Sequence, residues 1–150
     1  MDNLEWTRAG ISNGHFQSWG IRQDKRTQLI AVEDIGALAA IMFSNRLDYL
    51  GKTLEIAGDE LTESEQTETL SRVIGRRVAL VQPENSEGNP PDEEQMAGIR
   101  FFNGDAYTAD IAAVRKIHPS LRTLEEYLRE TGWENLSVLP MPERGNAWGN

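Results

Sequence analysis

Two histidines, His15 and His118, are the only side chains of this 150-residue chain of a type whose charge changes near neutral pH. They lie far apart in sequence, so a metal-ligand spacing such as H-E-x-x-H is absent. His118 precedes Pro119 after an apolar helical stretch and reads as a structural residue whose imidazole meets the last helix carbonyls. His15 is more open. Gly14-His15-Phe16-Gln17-Ser18-Trp19-Gly20 sets a titratable ring and two aromatics between glycines, the composition of a small-molecule pocket. Its simpler use is hydrophobic anchoring of the segment; as a site it makes His15 a general acid or base. No Ser-His-Asp arrangement can be assigned.

Phe101, Phe102 and Tyr107 form a second aromatic group around Asn103-Gly104-Asp105. They either pack on a sheet or close an apolar pocket with Phe16 and Trp19. Asp34 and Asp59 each stand beside a turn or helix start that needs a cap, which outweighs reading them as a catalytic pair. The acidic stretch with Glu84, Glu87, Asp92, Glu93 and Glu94 lacks the D-x-[DN]-x-[DN]-G order of a calcium loop and reads as solvated. Arg22, Lys25 and Arg26 cluster around Asp24 as a solvated turn rather than an anion site.

Composition narrows the classes further. There is no cysteine, which removes disulfides, thiolate nucleophiles and iron-sulfur clusters at once. A net charge of −9 opposes binding to a phosphate backbone, so nucleic acid is not an expected partner. The longest apolar run, Ile35 to Phe43, contains Gly36 and is too short to cross a bilayer. Residues 1–10 have neither the basic start nor the apolar middle of a secretion signal, which predicts a cytoplasmic protein with no membrane partner.

The elements that must position these residues follow from period and punctuation. Residues 1–26 show no sustained period and read as a long loop with one short element. Gln28-Leu29-Ile30-Ala31-Val32 reads as a buried strand, and Asp34 as the N-cap of a helix to about Ser44 with Ile35, Leu38, Ala39 and Met42 on one face. Thr53 to Ala57 alternates as a strand ended by Gly58-Asp59. Thr62-Glu63-Ser64-Glu65 is a capping box that opens a helix with Leu70, Val73 and Ile74 inward and Gly75 at its end. Val78 to Val81 is a further strand, followed by a proline-rich surface loop from Pro83 to Asp92. A helix with Met96, Ile99 and Phe102 on one face then runs to Asn103-Gly104, and another from Asp110 to Ile117. Thr123-Leu124-Glu125-Glu126 is a second capping box, its helix closes at Thr131-Gly132, and Trp133 behind it reads as a core plug. One α/β domain over residues 1–139 with a mobile tail over 140–150 is the expectation.

This order resembles the later half of the NmrA-like family. Gln28 through Ala39 resembles its strand-to-helix step, and Gly51-Lys52-Thr53-Leu54-Glu55-Ile56-Ala57-Gly58-Asp59-Glu60-Leu61-Thr62 its next strand and capped helix. Gly75-Arg76-Arg77-Val78, Tyr107 to Asp110 and His118-Pro119 look similar as well, and even Met1-Asp2-Asn3 resembles a step after a middle strand of the family's nucleotide domain. The resemblance covers about residues 1–133.

That family, among the atypical short-chain dehydrogenases, pairs a doubly wound nucleotide domain with a smaller C-terminal substrate lobe. The resemblance therefore implies a small partial sheet with flanking helices, equivalent to the C-terminal lobe without the Rossmann half. G-x-G-x-x-G occurs nowhere in the chain, so the phosphate cradle is absent. Tyr49-Leu50-Gly51-Lys52 looks like the tyrosine-lysine pair of ordinary short-chain dehydrogenases, but two residues intervene rather than three. The expectation is a ligand- or partner-binding module without redox activity of its own, using NADP only if a partner supplies the nucleotide half. Phe16, Trp19, Phe101, Phe102 and Tyr107 would line a pocket for a small apolar molecule. The surface left by the missing half predicts a homodimer or a complex. Two alternatives remain: a cofactor-independent isomerase, cyclase or lyase using His15, and one subunit of a split NAD(P)-dependent reductase.

Overall fold

Helix starts in this chain are fixed by reciprocal caps. In the computed structural model, which describes residues 1–82, 92–104 and 107–141, the Thr62 hydroxyl accepts from Glu65 N–H while the Glu65 carboxylate accepts from Thr62 N–H at 2.8 Å, opening α4 (Glu63–Ile74). Thr123 and Glu126 repeat the device at α7 (Leu124–Glu130). Asp92 and Gln95 repeat it at α5 (Glu93–Asn103), a box that the sequence reading missed because Asp and Gln stand in for Thr and Glu. Asp110 caps α6 (Ile111–Ile117) through Ala113 N–H. Gly75 and Gly132 end α4 and α7 at φ of 74° and 77°, the left-handed region that a side chain resists.

The remaining elements are a 3-10 segment over Asp2–Thr7, α1 (Arg8–Ser12), β1 (His15–Gln17), β2 (Thr27–Leu29), α2 (Val32–Ser44), α3 (Arg46–Tyr49), β3 (Asp59–Leu61), β4 (Ala79–Val81) and a 3-10 turn at Trp133–Asn135. The fold is α/β: two small two-stranded sheets flanked by helices. β1 lies parallel to β4 with Phe16 beside Leu80, and β2 lies antiparallel to β3 with Gln28 beside Glu60. The main core forms where α4 packs on α7 and the turn at Trp133, joining Leu70, Val73, Leu124, Leu128 and Trp133 to Ile11 and Phe16. A smaller cluster joins Leu38 of α2 to Val114 and Leu121, with Ile56 against it. Among the described residues, no helix is long and apolar enough to cross a membrane.

Several expectations are corrected. The first 26 residues are not a long loop: they hold two helical segments and a strand, each too short to show a period, and the strand pairs with residues more than sixty positions away. Residues 53–57 form no strand. Residues 53–56 alternate in burial, but Ala57 is buried out of phase and pairing with β2 begins only where Gly58 N–H reaches Leu29 O at 2.7 Å. The strand expected over Gln28 to Val32 is shorter, because Val32 already opens α2. Asp34 is not the N-cap of α2. Ala31 holds that position, the Asp2 carboxylate accepts from Val32 N–H in place of a local cap, and Asp34 is buried. Ile35 is exposed, so the buried face of α2 is built on Asp34 and Leu38 instead. Most of the expected tail, most of the acidic loop with Glu84 and Glu87, and Asp105 lie outside the described residues.

Candidate ligand-binding cavity

Alternation along β1 decides which side of the strand each residue serves. Phe16 is buried, whereas His15 and Gln17 on either side are exposed. Beyond β1 the chain continues its pairing through Ser18 N–H to Val81 O at 2.8 Å and then turns. Glu63, the first residue of α4, holds that turn: its carboxylate accepts from the Ser18 hydroxyl at 2.6 Å and from Trp19 N–H at 2.8 Å. The capping box needs only Glu65, which leaves Glu63 for this second task. One turn further on, Gln66 donates to the Thr27 hydroxyl at 2.8 Å and ties α4 to β2.

The other wall arrives from the C-terminal side of the sequence. Asn103, the last residue of α5, accepts from Arg22 N–H at 2.7 Å and donates to Gly20 O at 3.1 Å. Gln28 donates to Ala109 O and accepts from Ala109 N–H, seating the segment that carries Tyr107. Phe102 and Tyr107 stack with ring centroids 6.2 Å apart. Phe101 meets Phe102 edge to face at 5.4 Å.

Together these elements enclose a cavity of about 550 Å³. Phe16, Thr27, Glu63 and Gln66 are buried at its floor, Phe102 and Tyr107 form a side, and the half-exposed Trp19 stands with Trp6, Val32 and Ile35 at the mouth. Burial pushes the Tyr107 phenol above its ordinary pKa. Met1 also lines the cavity; its amino group donates to Ile30 O at 2.6 Å, and burial holds its pKa below the usual value.

Of the six residues singled out in sequence, the structure brings Phe16, Trp19, Phe102 and Tyr107 around this space. Phe101 is largely exposed and outside the lining, and meets it through Phe102 and Tyr107. His15 lies across the strand from Phe16, outside the lining. Glu63, Gln66, Thr27 and Gln28 were not anticipated. Nothing in the sequence separates Glu63 from the half-buried Glu65 two residues on, since both are first-turn acids of one helix.

The other candidates have structural tasks. Asp34 accepts from Arg122 Nη1 at 2.7 Å and from Arg122 N–H at 3.0 Å, and lies 3.2 Å from His118 Nε2. His118 thus ends its helix as expected, but its imidazole meets Asp34 rather than helix carbonyls. Asp59 accepts from Leu124 N–H at 2.9 Å. The two acids therefore clamp residues 118–124 and form no catalytic pair. Arg22 pairs with Asp24, and Arg26 with Glu60 and Glu65. Tyr49 and Lys52 flank a surface turn outside the cavity. Among the described residues, no cluster of acids and histidines could hold a metal ion.

The profile of the NmrA-like family matches residues 13–128. The chain belongs to the NmrA-like family. No curated protein matches it. Among solved structures it is similar to NmrA, described as a negative transcriptional regulator, in complex with NAD: TM-score 0.60, 21% identity, covering 77% of this chain and 42% of that one. The NADP complex of NmrA matches with TM-score 0.59, 22% identity and the same coverage, and so does a monoclinic form of NmrA. This NmrA-like chain thus spans about two fifths of the length of the structures it matches, and at that identity the likeness speaks for the fold.

Proposed function

We propose that this chain is a small-molecule-binding lobe of the NmrA-like type, without redox chemistry of its own. The observation that carries the reading is the cavity of about 550 Å³, large enough for a drug-sized ligand and lined by Phe16, Trp19, Phe102 and Tyr107 together with the polar Thr27, Glu63 and Gln66. Its side chains speak against a dinucleotide. A pyrophosphate is held by cations and by backbone N–H groups at a glycine-rich helix start, whereas this lining includes Asp2 and Glu63 and, among the described residues, no Lys, Arg or His. The chain also has no G-x-G-x-x-G. His15, outside the lining, supports no proton transfer there.

Calorimetric titration with NADPH, NADH and the neutral aromatic probe indole-3-ethanol tests this. Saturable binding of the indole probe and no heat from either dinucleotide is the expected result. Micromolar NADPH binding overturns it and restores a reductase.

The same reading includes a partner. Phe43, Leu47 and Leu50 stand about four-fifths exposed on α2, on α3 and at the end of α3, an apolar ridge of the kind that marks an interface. We propose that a second copy of the chain covers it. Light scattering should give twice the 16.8 kDa chain mass; a monomer overturns the proposal.

A further inference from the structure

The charge of the cavity specifies its ligand more narrowly than its apolar walls do. Among the described residues, two lining side chains are carboxylates, Asp2 and Glu63, and none is a cation. Asp2 sits toward the mouth with one oxygen committed to Val32 N–H. Glu63 is the deep one, only 5% exposed. Each of its oxygens accepts one hydrogen bond, both from neutral donors. A carboxylate offers about four lone-pair positions, so room remains for further donors.

A buried carboxylate is costly unless a positive charge balances it. The N-terminal end of α4 supplies part of that balance. Among the described residues no cation supplies the rest: Arg26 binds Glu60 and Glu65, Lys25 Nζ donates to Gly104 O, and the Met1 amino group donates to Ile30 O. The cavity that Glu63 lines is also lined by Phe16, Trp19, Phe102 and Tyr107, and aromatic faces attract cations.

We propose that the cavity takes a small molecule with an aromatic or apolar body and a protonated amine, the amine seated on the Glu63 carboxylate and the body against Phe102, Tyr107 and Trp19. This rests on the reading of the cavity as a ligand site. It gives that site a sign: amines in, carboxylates and phosphates out.

Three probes of one shape and different charge test it: tryptamine, indole-3-ethanol and indole-3-propionate, titrated into the full chain by calorimetry. Tryptamine should bind about tenfold or more tighter than indole-3-ethanol, and the propionate weakest. Glu63→Gln removes the charge, keeps one acceptor oxygen for the turn at Ser18 and Trp19, and should bring the tryptamine to indole-3-ethanol affinity ratio to about one. Asp2→Asn should leave most of the preference, which separates Glu63 from the general attraction of a chain with net charge −9. Equal affinity for all three probes overturns the amine assignment and leaves the cavity reading standing. No binding of any probe overturns both. If Glu63→Gln fails to fold by circular dichroism, the ratio of tryptamine to indole-3-ethanol on the unmodified chain decides by itself.

Discussion

Trp133 and Phe43 are both large apolar side chains in helical segments of one chain, yet the first has none of its surface exposed and the second 83%. Trp133 sits where α7 ends against α4, with the Arg8 guanidinium 4.8 Å from its ring centre. Phe43 closes a helix that buries only Asp34 and Leu38, and α5 across the cavity buries no residue at all. Burial is therefore concentrated on one side of the molecule, and the proposed recognition falls on the other. The side around α4 and α7 is closed and holds the fold. The side around α2, α3 and the cavity mouth keeps apolar surface that no described residue covers.

That division fixes the ranking of mutational effects. Trp133→Ala should be the most damaging single change, about 4 kcal/mol by urea unfolding, since it empties the centre of the larger cluster. Trp133→Phe should cost far less, because the indole Nε1 is buried without a hydrogen-bond partner and its removal relieves that defect. A Phe variant as unstable as the Ala variant would show that the buried indole N–H is not the defect and that the site needs the whole indole.

Next in size are the clamps on residues 118–124. Asp34→Ala removes the acceptor for Arg122 and leaves that guanidinium with only Glu33 and Glu130, at a cost of about 3 kcal/mol. Gly58→Ala acts on the same segment from the other side. A methyl group there would stand 2.4 Å from Arg122 O, a backbone atom, so the loop must move, at about 1–3 kcal/mol. Urea midpoints of both variants check this; a silent Gly58→Ala would mean the segment yields freely, and the closed side would not be as rigid as its burial suggests.

A pH effect sharpens the same point. Burial raises the Tyr127 phenol to about 12 from its ordinary value of about 10. The folded state thus favours the neutral phenol. Its contribution is complete below about pH 10 and is lost as pH rises through about 12. Tyr127→Phe should flatten this part of the alkaline decline in urea midpoint while leaving the midpoint near neutral pH little changed. An unaltered decline would place the loss in other groups.

The closed side was also the side legible in sequence. Thr62 with Glu65, Thr123 with Glu126, Gly75, Gly132 and Trp133 each carry a local signal, because caps and left-handed helix ends are fixed within four residues. The errors fall where partners are distant. Residues 53–57 alternate properly but have no strand to pair with, and β1 and β4 meet across more than sixty residues. Asp34 looks like a cap from its neighbours and becomes a buried anchor only because Arg122 arrives 88 positions later. At the cavity the aromatics were visible by type. Glu63 was not, since its burial depends on Ser18 and Trp19 folding over it.

The smallest expected effect on stability falls on the open side and tests the comparison most directly. Phe43→Ser, Leu47→Ser and Leu50→Ser replace side chains that are already in water, so each should move the urea midpoint of the isolated chain by less than about 0.5 kcal/mol. The same changes together should convert the proposed dimer to a monomer in light scattering, because a two-fold interface doubles every lost contact. Stability that instead fell as far as with Asp34→Ala, at unchanged mass, would mean that α2 and α3 support the fold from their outer face. The contrast between Trp133 and Phe43 would then be one of accessibility and not of role. A triple variant that stays folded and loses only its partner would establish that the open side is built for assembly, and amine-probe binding that survives in it would separate the cavity from the ridge.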